Sequence, residues 1–335
     1  MTSDRMDHPR RAGHTLLGWL LLTMLAGCAG PSTLETRDGY VADHAHRSGA
    51  YNQRIRYLIL HYTDSEESRA MRTLLGPDVS SHYLVPRHPA TTDGLPRVWQ
   101  LVNEADRAWH AGVSGWEDRT QLNDTSIGVE IVNRGPQDIS RSTSRSLSKS
   151  TSQSETAVRW QLYPDAQVEA VIALAKDIIH RYHLPPTAIL GHSDIAPSRK
   201  IDPGPRFPWK RLYDAGIGAW PQTDTVDAYR RQFERCPPST IQIQRALRAY
   251  GYPIDTGGKL DDQTRDVIRA FQMHFRPANY SGQPDSETIA ILWALLSRYR
   301  PQALKEGGLG DISGCDERRD TSPSTRQVGA QTEKG

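Results

Sequence analysis

The sequence predicts an α/β domain, with a mixed central sheet flanked by helices, followed by a small all-α unit of three helices. Three observations carry this. Ile55-Arg56-Tyr57-Leu58-Ile59-Leu60-His61-Tyr62-Thr63 is a nearly continuous apolar run of strand length, the pattern of a strand buried on both faces. Val168, Val171, Ile172, Ala175, Ile178, Ile179 and Tyr182 recur at helical spacing until Pro185-Pro186, and a second apolar run, Ala188-Ile189-Leu190, follows at once. Past residue 239 the pattern changes to three amphipathic stretches in succession, each opened by a capping residue.

In chain order, 335 residues suffice for two domains with tails, and 37% hydrophobic with 24% charged residues suits a globular protein with polar linkers. A net charge of +2 gives no electrostatic case for nucleic acid as a partner. Arg10, Arg11 and His14 precede an apolar run over 16–26, too short for a bilayer span of roughly 20 residues but organised like an export signal. That run ends in Leu25-Ala26-Gly27-Cys28, which resembles a bacterial lipobox. The resemblance implies a signal peptide over 1–28, a lipid on Cys28 as the membrane anchor and, with Ala29 rather than Asp next, an outer-membrane location facing the periplasm. Residues 29–51 read as a tether.

An α/β domain is expected over 52–220. Besides the run at 55–63, strands are expected over 80–86, 97–102 and 126–133, the last with Glu130 among apolar neighbours. The segment 138–156 alternates Ser, Thr, Arg and Lys with almost nothing apolar, the composition of a mobile loop insertion. A helix over 165–183 leads into the strand at 188–192. Residues 220–235 read as a connector. The helical unit over 236–300 opens on Ser239-Thr240-Ile241-Gln242, a capping box, and Asp261 and Asp285 cap its second and third helices. The tail, 301–335, reads as disordered. Apart from Cys28, the cysteines are Cys236 and Cys315, which the sequence leaves as a disulfide or two free thiols.

The chemistry concentrates in Gly191-His192-Ser193-Asp194-Ile195-Ala196-Pro197-Ser198-Arg199-Lys200-Ile201-Asp202-Pro203-Gly204, which packs an imidazole, two carboxylates and two cations into one short segment. Its prolines forbid a long helix, so a strand ends in His192 and a rigid charged turn follows. His61 closes another buried strand. Asp194 and Asp202 compete as carboxylate partners of His192; a ligand two residues away leaves little freedom to close a tetrahedron. Glu130 in an apolar strand is costly unless it has a partner or a task. The chain contains no His-Glu-x-x-His pattern, so a helix-borne protease metal site is not supported.

The 191–204 segment resembles, almost residue for residue, the signature of zinc-dependent N-acetylmuramoyl-L-alanine amidases, in particular their outer-membrane lipoprotein branch. That resemblance implies one Zn2+ per chain held by His61, His192 and Asp202, with Glu130 handling protons and Lys200 stabilising the oxyanion. It extends through Ala108-Trp109-His110-Ala111-Gly112 and Leu122-Asn123, and implies that Trp109 and His110, with His82 nearby, bind substrate. Leu260-Asp261-Asp262-Gln263-Thr264 with Ala270-Phe271-Gln272 resembles the three-helix peptidoglycan-binding domain of cell-wall hydrolases. The implied activity is hydrolysis of the amide bond between the lactyl group of N-acetylmuramic acid and L-alanine of the stem peptide, by a monomer working on peptidoglycan in wall turnover or recycling. Two other readings stay open: a non-catalytic peptidoglycan receptor on the same fold, and a zinc peptidase cutting within the stem peptide.

Overall fold

The structure, a computed structural model, describes residues 33–137, 158–306 and 309. The export signal, Cys28, the Ser-rich insertion and Cys315 lie outside the described residues. The chain divides into two compact units, Met1–Asn52 and Gln53–Gly335.

Within the first unit, strands β1 (Leu34–Arg37) and β2 (Tyr40–Asp43) pair antiparallel, with Leu34 opposite Asp43, where the sequence reading has a plain tether. The turn explains it: Gly39 takes φ +82° in the Asp38-Gly39 pair, the chemistry a two-residue hairpin demands.

The second unit is built on a five-stranded mixed sheet. Its strands are β3 (Tyr57–Tyr62), β4 (Tyr83–Val85), β7 (Trp99–Gln100), β10 (Ser126–Ile131) and β11 (Ile189–Gly191), in the order β11-β3-β10-β4-β7. The first four in that order run parallel and β7 closes the edge antiparallel to β4. Two small hairpins, β5 (Thr91–Thr92) with β6 (Leu95–Pro96) and β8 (Gly115–Trp116) with β9 (Arg119–Thr120), decorate the loops. Helix α1 (Glu67–Leu74) follows β3 and was not legible in the sequence: only Ala70 and Leu74 are buried, too few to show a period. Helix α2 (Asp165–Tyr182) matches expectation and buries Val168, Val171, Ala175 and Ile178. Two short helices, α3 (His192–Ile195) and α4 (Trp209–Asp214), flank the charged turn.

Helix α5 (Thr223–Arg235) occupies the stretch read as a connector, and it buries Phe233 edge-on against Trp293 with ring centroids 5.3 Å apart. Helices α6 (Thr240–Tyr250), α7 (Asp262–Phe275) and α8 (Ser286–Tyr299) are the expected three. Their caps form as read: Ser239 N donates to Gln242 Oε1 at 2.8 Å, and Asp261 and Asp285 each accept from the backbone N–H three residues on at 2.9 Å. A last helix, α9 (Pro301–Glu306), enters the stretch expected to be disordered. Cys236 is disulfide-bonded.

The helical region does not stand apart. One buried apolar cluster runs from Leu58, Ile59 and Val171 to Phe271 and Leu296. Trp116 inserts between the two regions, edge-on to Tyr250 and Tyr252 at 6.0 and 4.9 Å. Gly251 makes room for it, since a Cβ there would lie 2.5 Å from the indole. Among the described residues no helix is long and apolar enough to cross a membrane.

Candidate active site

Parallel pairing brings three strand ends together. In register, Gly191 of β11 lies beside Leu60 of β3, and Glu130 of β10 beside His61. His192, the next residue after β11, therefore emerges beside His61, with Glu130 on the other flank. This is the carboxyl-terminal edge of the parallel strands, where open α/β sheets hold their ligands. Asp202 returns to the same point from the turn after α3, its carbonyl accepting from Ser193 N at 2.9 Å. Gly191 permits the return, because a Cβ there would lie 2.7 Å from Pro203 Cδ.

Three donor atoms converge. His61 Nδ1 lies 2.9 Å from His192 Nδ1 and 3.2 Å from Asp202 Oδ2, and His192 Nδ1 lies 3.1 Å from Asp202 Oδ2. The outer ring nitrogens settle where the hydrogens are. His192 Nε2 faces the Ala111 carbonyl oxygen at 3.3 Å, and a carbonyl only accepts, so Nε2 carries the hydrogen. Ser126 Oγ donates to Leu122 O at 2.6 Å and therefore accepts from His110 Nε2 at 3.2 Å. His110 Nδ1 is then the acceptor for His61 Nε2–H at 3.1 Å. Both inner Nδ1 atoms are left as lone pairs facing one another and a carboxylate oxygen.

That triangle repels itself unless a cation fills it. Zinc bonds of about 2.0–2.2 Å at tetrahedral angles place donors about 3.3 Å apart, close to the triangle found. Protonation matches. Burial and the neighbouring His192 push His61 down to about 4 in spite of Asp202, so it is neutral at pH 7. Burial alone would raise Asp202, but the charge and hydrogen bonds of His192 and His61 outweigh it and hold the carboxyl well below its usual range. Among the described residues these three form the one cluster able to hold a metal.

Glu130 differs from all three. Its Oε2 is buried with no hydrogen-bond partner among the described residues. Burial first, and then the charge of Asp202, raise its carboxyl well above the ordinary value, against the opposing charge of Lys200. Beyond these groups opens a cleft of about 1320 Å3, lined among others by Tyr62, Asp64, Arg69, Trp109, Glu130 and Lys200.

The other sequence-read residues separate. Trp109 is 48% exposed, lines the cleft, and carries the Arg107 guanidinium 4.2 Å from its ring centre. His110 reaches the cleft wall, but both of its nitrogens are used inside the protein, holding His61 in one tautomer. Gly128 makes that possible, because a Cβ there would lie 2.4 Å from the His110 ring. His82 needs correcting: it is fully buried and off the cleft, accepting from Gly128 N at 3.0 Å and donating to Asp106 O. It holds the backbone of β10 in place and packs edge-on behind His110, with its own ring off the cleft. Asp194, the rival to Asp202, turns away from the donor triangle, its oxygens occupied by Gly191 N, Tyr252 Oη and His274 Nδ1. Sequence reasoning missed Tyr62 and Asp64, which follow His61 off the strand end, and the Ser126–His110 relay. Asn123, whose side chain accepts from His110 N and Ala111 N at 3.1 and 2.8 Å, anchors that relay.

The chain is also similar to known proteins. Residues 51–205 match the N-acetylmuramoyl-L-alanine amidase family, and residues 237–292 match a peptidoglycan binding domain. The N-acetylmuramoyl-L-alanine amidase AmiD of Escherichia coli (strain K12) is 44% identical over 284 residues, covering 84% of this chain and 97% of AmiD. The structure of E. coli AmiD in complex with the substrate anhydro-N-acetylmuramic acid-L-Ala-D-gamma-Glu-L-Lys superposes with a TM-score of 0.71 at 42% identity, covering 80% of this chain and 99% of that one. Pseudomonas aeruginosa AmpDh3 in complex with anhydromuramic pentapeptide gives 0.66 at 42% identity, covering 76% and 96%. With 44% identity to AmiD over 97% of that protein's length, and a match of residues 51–205 to the family model, this chain belongs to the N-acetylmuramoyl-L-alanine amidase family.

Proposed function

We propose that the chain is a zinc enzyme, lipid-anchored at the outer membrane and facing the periplasm, that cuts the amide bond between the lactyl group of N-acetylmuramic acid and L-alanine of the peptidoglycan stem. The observation that carries the reading is the hydrogen-free donor triangle of His61, His192 and Asp202, set beside the unpartnered carboxyl oxygen of Glu130. His61, His192 and Asp202 would hold the metal through the three converging donor atoms. Zinc bound there supplies Lewis acidity, which lowers the pKa of water to roughly 7 and polarises a carbonyl.

The chain's own groups do the rest. Glu130 accepts a proton from the attacking water as its oxygen bonds to the lactyl carbonyl carbon. Lys200, whose ammonium has no hydrogen-bond partner among the described residues, faces the charge that gathers on the carbonyl oxygen. When the C–N bond breaks, Glu130 returns the proton to the leaving amine of L-alanine, so the carboxyl ends as it began. Trp109, exposed at the rim, offers an apolar face to the sugar or the peptide. The helical region at 237–292 adds a second contact with the murein, raising the local substrate concentration.

Digestion of purified sacculi, read by mass spectrometry, tests the activity. The products expected are glycan strands stripped of peptide and free stem peptides beginning with L-alanine. Peptides shortened from within would instead indicate a peptidase, and bound but uncut murein a receptor. For the anchor, Cys28→Ser is expected to leave unprocessed precursor without lipid; normal processing of that variant would refute the lipobox.

A further inference from the structure

Asp194 lies in the turn that carries the metal ligand His192, yet its carboxylate is held largely by the helical region. Tyr252 Oη donates to Oδ1 at 2.6 Å, and His274 Nδ1 donates to Oδ2 at 2.8 Å, beside the local Gly191 N–H at 2.7 Å. Tyr252 belongs to the loop after α6, and His274 to the last turn of α7. The Asp194 and His274 side chains are only 1% and 4% exposed. The His274 ring also stacks on Trp209 of α4, at 3.7 Å and 15°.

Apolar side chains would suffice to glue these two regions together, as Trp116 already does. A carboxylate, a phenol and an imidazole buried at the same seam must be taken out of water, and they repay that only through fixed geometry. What they fix is the α3 turn. Asp194 closes that turn onto Gly191 N, His192 is the turn's first residue, and Ser193 N holds the Asp202 carbonyl. Both ligands that follow β11 therefore depend on a turn whose carboxylate is clamped from the other region.

We infer that Asp194, with Tyr252 and His274, forms a positioning relay through which the wall-binding helices hold His192 and Asp202 in metal-binding geometry. The wall-binding region thus completes the catalytic region as well as anchoring it. The inference rests on the proposed metal role of His192 and Asp202.

The test uses full-length mature protein with three substitutions. Tyr252→Phe removes one donor and keeps the ring. His274→Phe keeps the stack on Trp209 and loses the bond. His274→Asn loses the stack but keeps a donor near the Nδ1 position. Zinc affinity is read by competition with a chromophoric chelator, kcat and KM on a purified muropeptide, and Tm by calorimetry. Tyr252→Phe and His274→Phe are expected to weaken zinc about 10-fold, the lower end for groups outside the ligand shell, and to lower kcat with KM unchanged. His274→Asn is expected to recover both despite its lost stacking. Zinc affinity and kcat equal to wild type in the two Phe variants, with only Tm lowered, would overturn the relay. A wild type that turns over without metal would overturn the zinc reading instead. The kcat-against-KM split of the same variants then decides the relay, and unchanged kcat refutes it.

Discussion

Two glutamates, the buried Glu104 and the half-buried Glu130, show how the same side chain serves stability or reaction. Glu104 is 7% exposed, and its carboxylate accepts from Tyr83 Oη, Tyr182 Oη and both terminal nitrogens of Arg181. Burial by itself would raise its pKa, but the bonds from Arg181, Tyr83 and Tyr182 outweigh burial and hold it at about 2. Every oxygen has partners, so the group is fixed and ionised and cannot exchange a proton at neutral pH. Glu130 lies beside His61 at the cleft, its Oε2 has no hydrogen-bond partner among the described residues, and desolvation drives its carboxyl upward. Satisfied, a buried carboxylate braces the fold; left with an open valence at a cleft, it is available to take a proton.

The largest effect that could break this contrast is at the proposed metal site. His61→Ala removes one corner of the donor triangle and is expected to abolish both zinc binding and turnover, while the Glu104 cluster keeps the fold. Retention of one zinc per chain, measured by emission spectrometry after dialysis, would refute the ligand set. Next comes Glu130→Gln, expected to lower turnover by roughly 10²–10⁴, the usual worth of a positioned acid–base group, with zinc retained. Lys200→Ala is expected to cost about 10²–10³ in turnover as a lost oxyanion partner. Near-normal rates in Glu130→Gln would move the proton to another group of the cleft.

Glu104→Gln should do the reverse. Turnover stays within a few-fold of wild type, while stability falls by about 1.5–3 kcal/mol, the range for hydrogen bonds to a charged group, read from denaturant midpoints. A catalytic loss without destabilisation would erase the distinction between the two glutamates. The smallest effect is in pH. Glu104 binds fewer protons folded than unfolded between its ordinary value of 4.5 and its folded value of about 2. Its contribution is therefore complete above pH ~4.5 and is lost as pH falls toward 2. The acid decline of Tm across that window should be shallower in Glu104→Gln; identical profiles would show that other carboxylates govern acid unfolding.

Much of the fold was legible, for reasons particular residues display. The run at 55–63 is apolar on both faces because β3 is a central parallel strand with both faces buried, and α2 announces itself through a full apolar stripe ended by two prolines. The three C-terminal helices were legible from their caps. Helix α5 was missed although Val226, Tyr229 and Phe233 recur at helical spacing, because only Phe233 is fully buried and charged residues fill most of the other positions. At the site, the signature around His192 supplied the chemistry, and β-strand register explains why His61 and Glu130 join it.

The sequence by itself determined residue types, strand ends and the short turn that carries Lys200 and Asp202, because those depend on local pattern and on proline. The resemblance already favoured Asp202 over Asp194, but only the tertiary structure gave the reason, and it alone separated His110 from His82. Asp202 reaches the donor triangle and Asp194 does not, because Tyr252 and His274, far away in sequence, turn Asp194 aside. His110 orients His61 through Ser126, while His82, equally plausible in the sequence, is spent on the backbone of β10. Most of these choices rest on hydrogen bonds between segments dozens of residues apart, and no local pattern records which of two acceptors a distant donor will find.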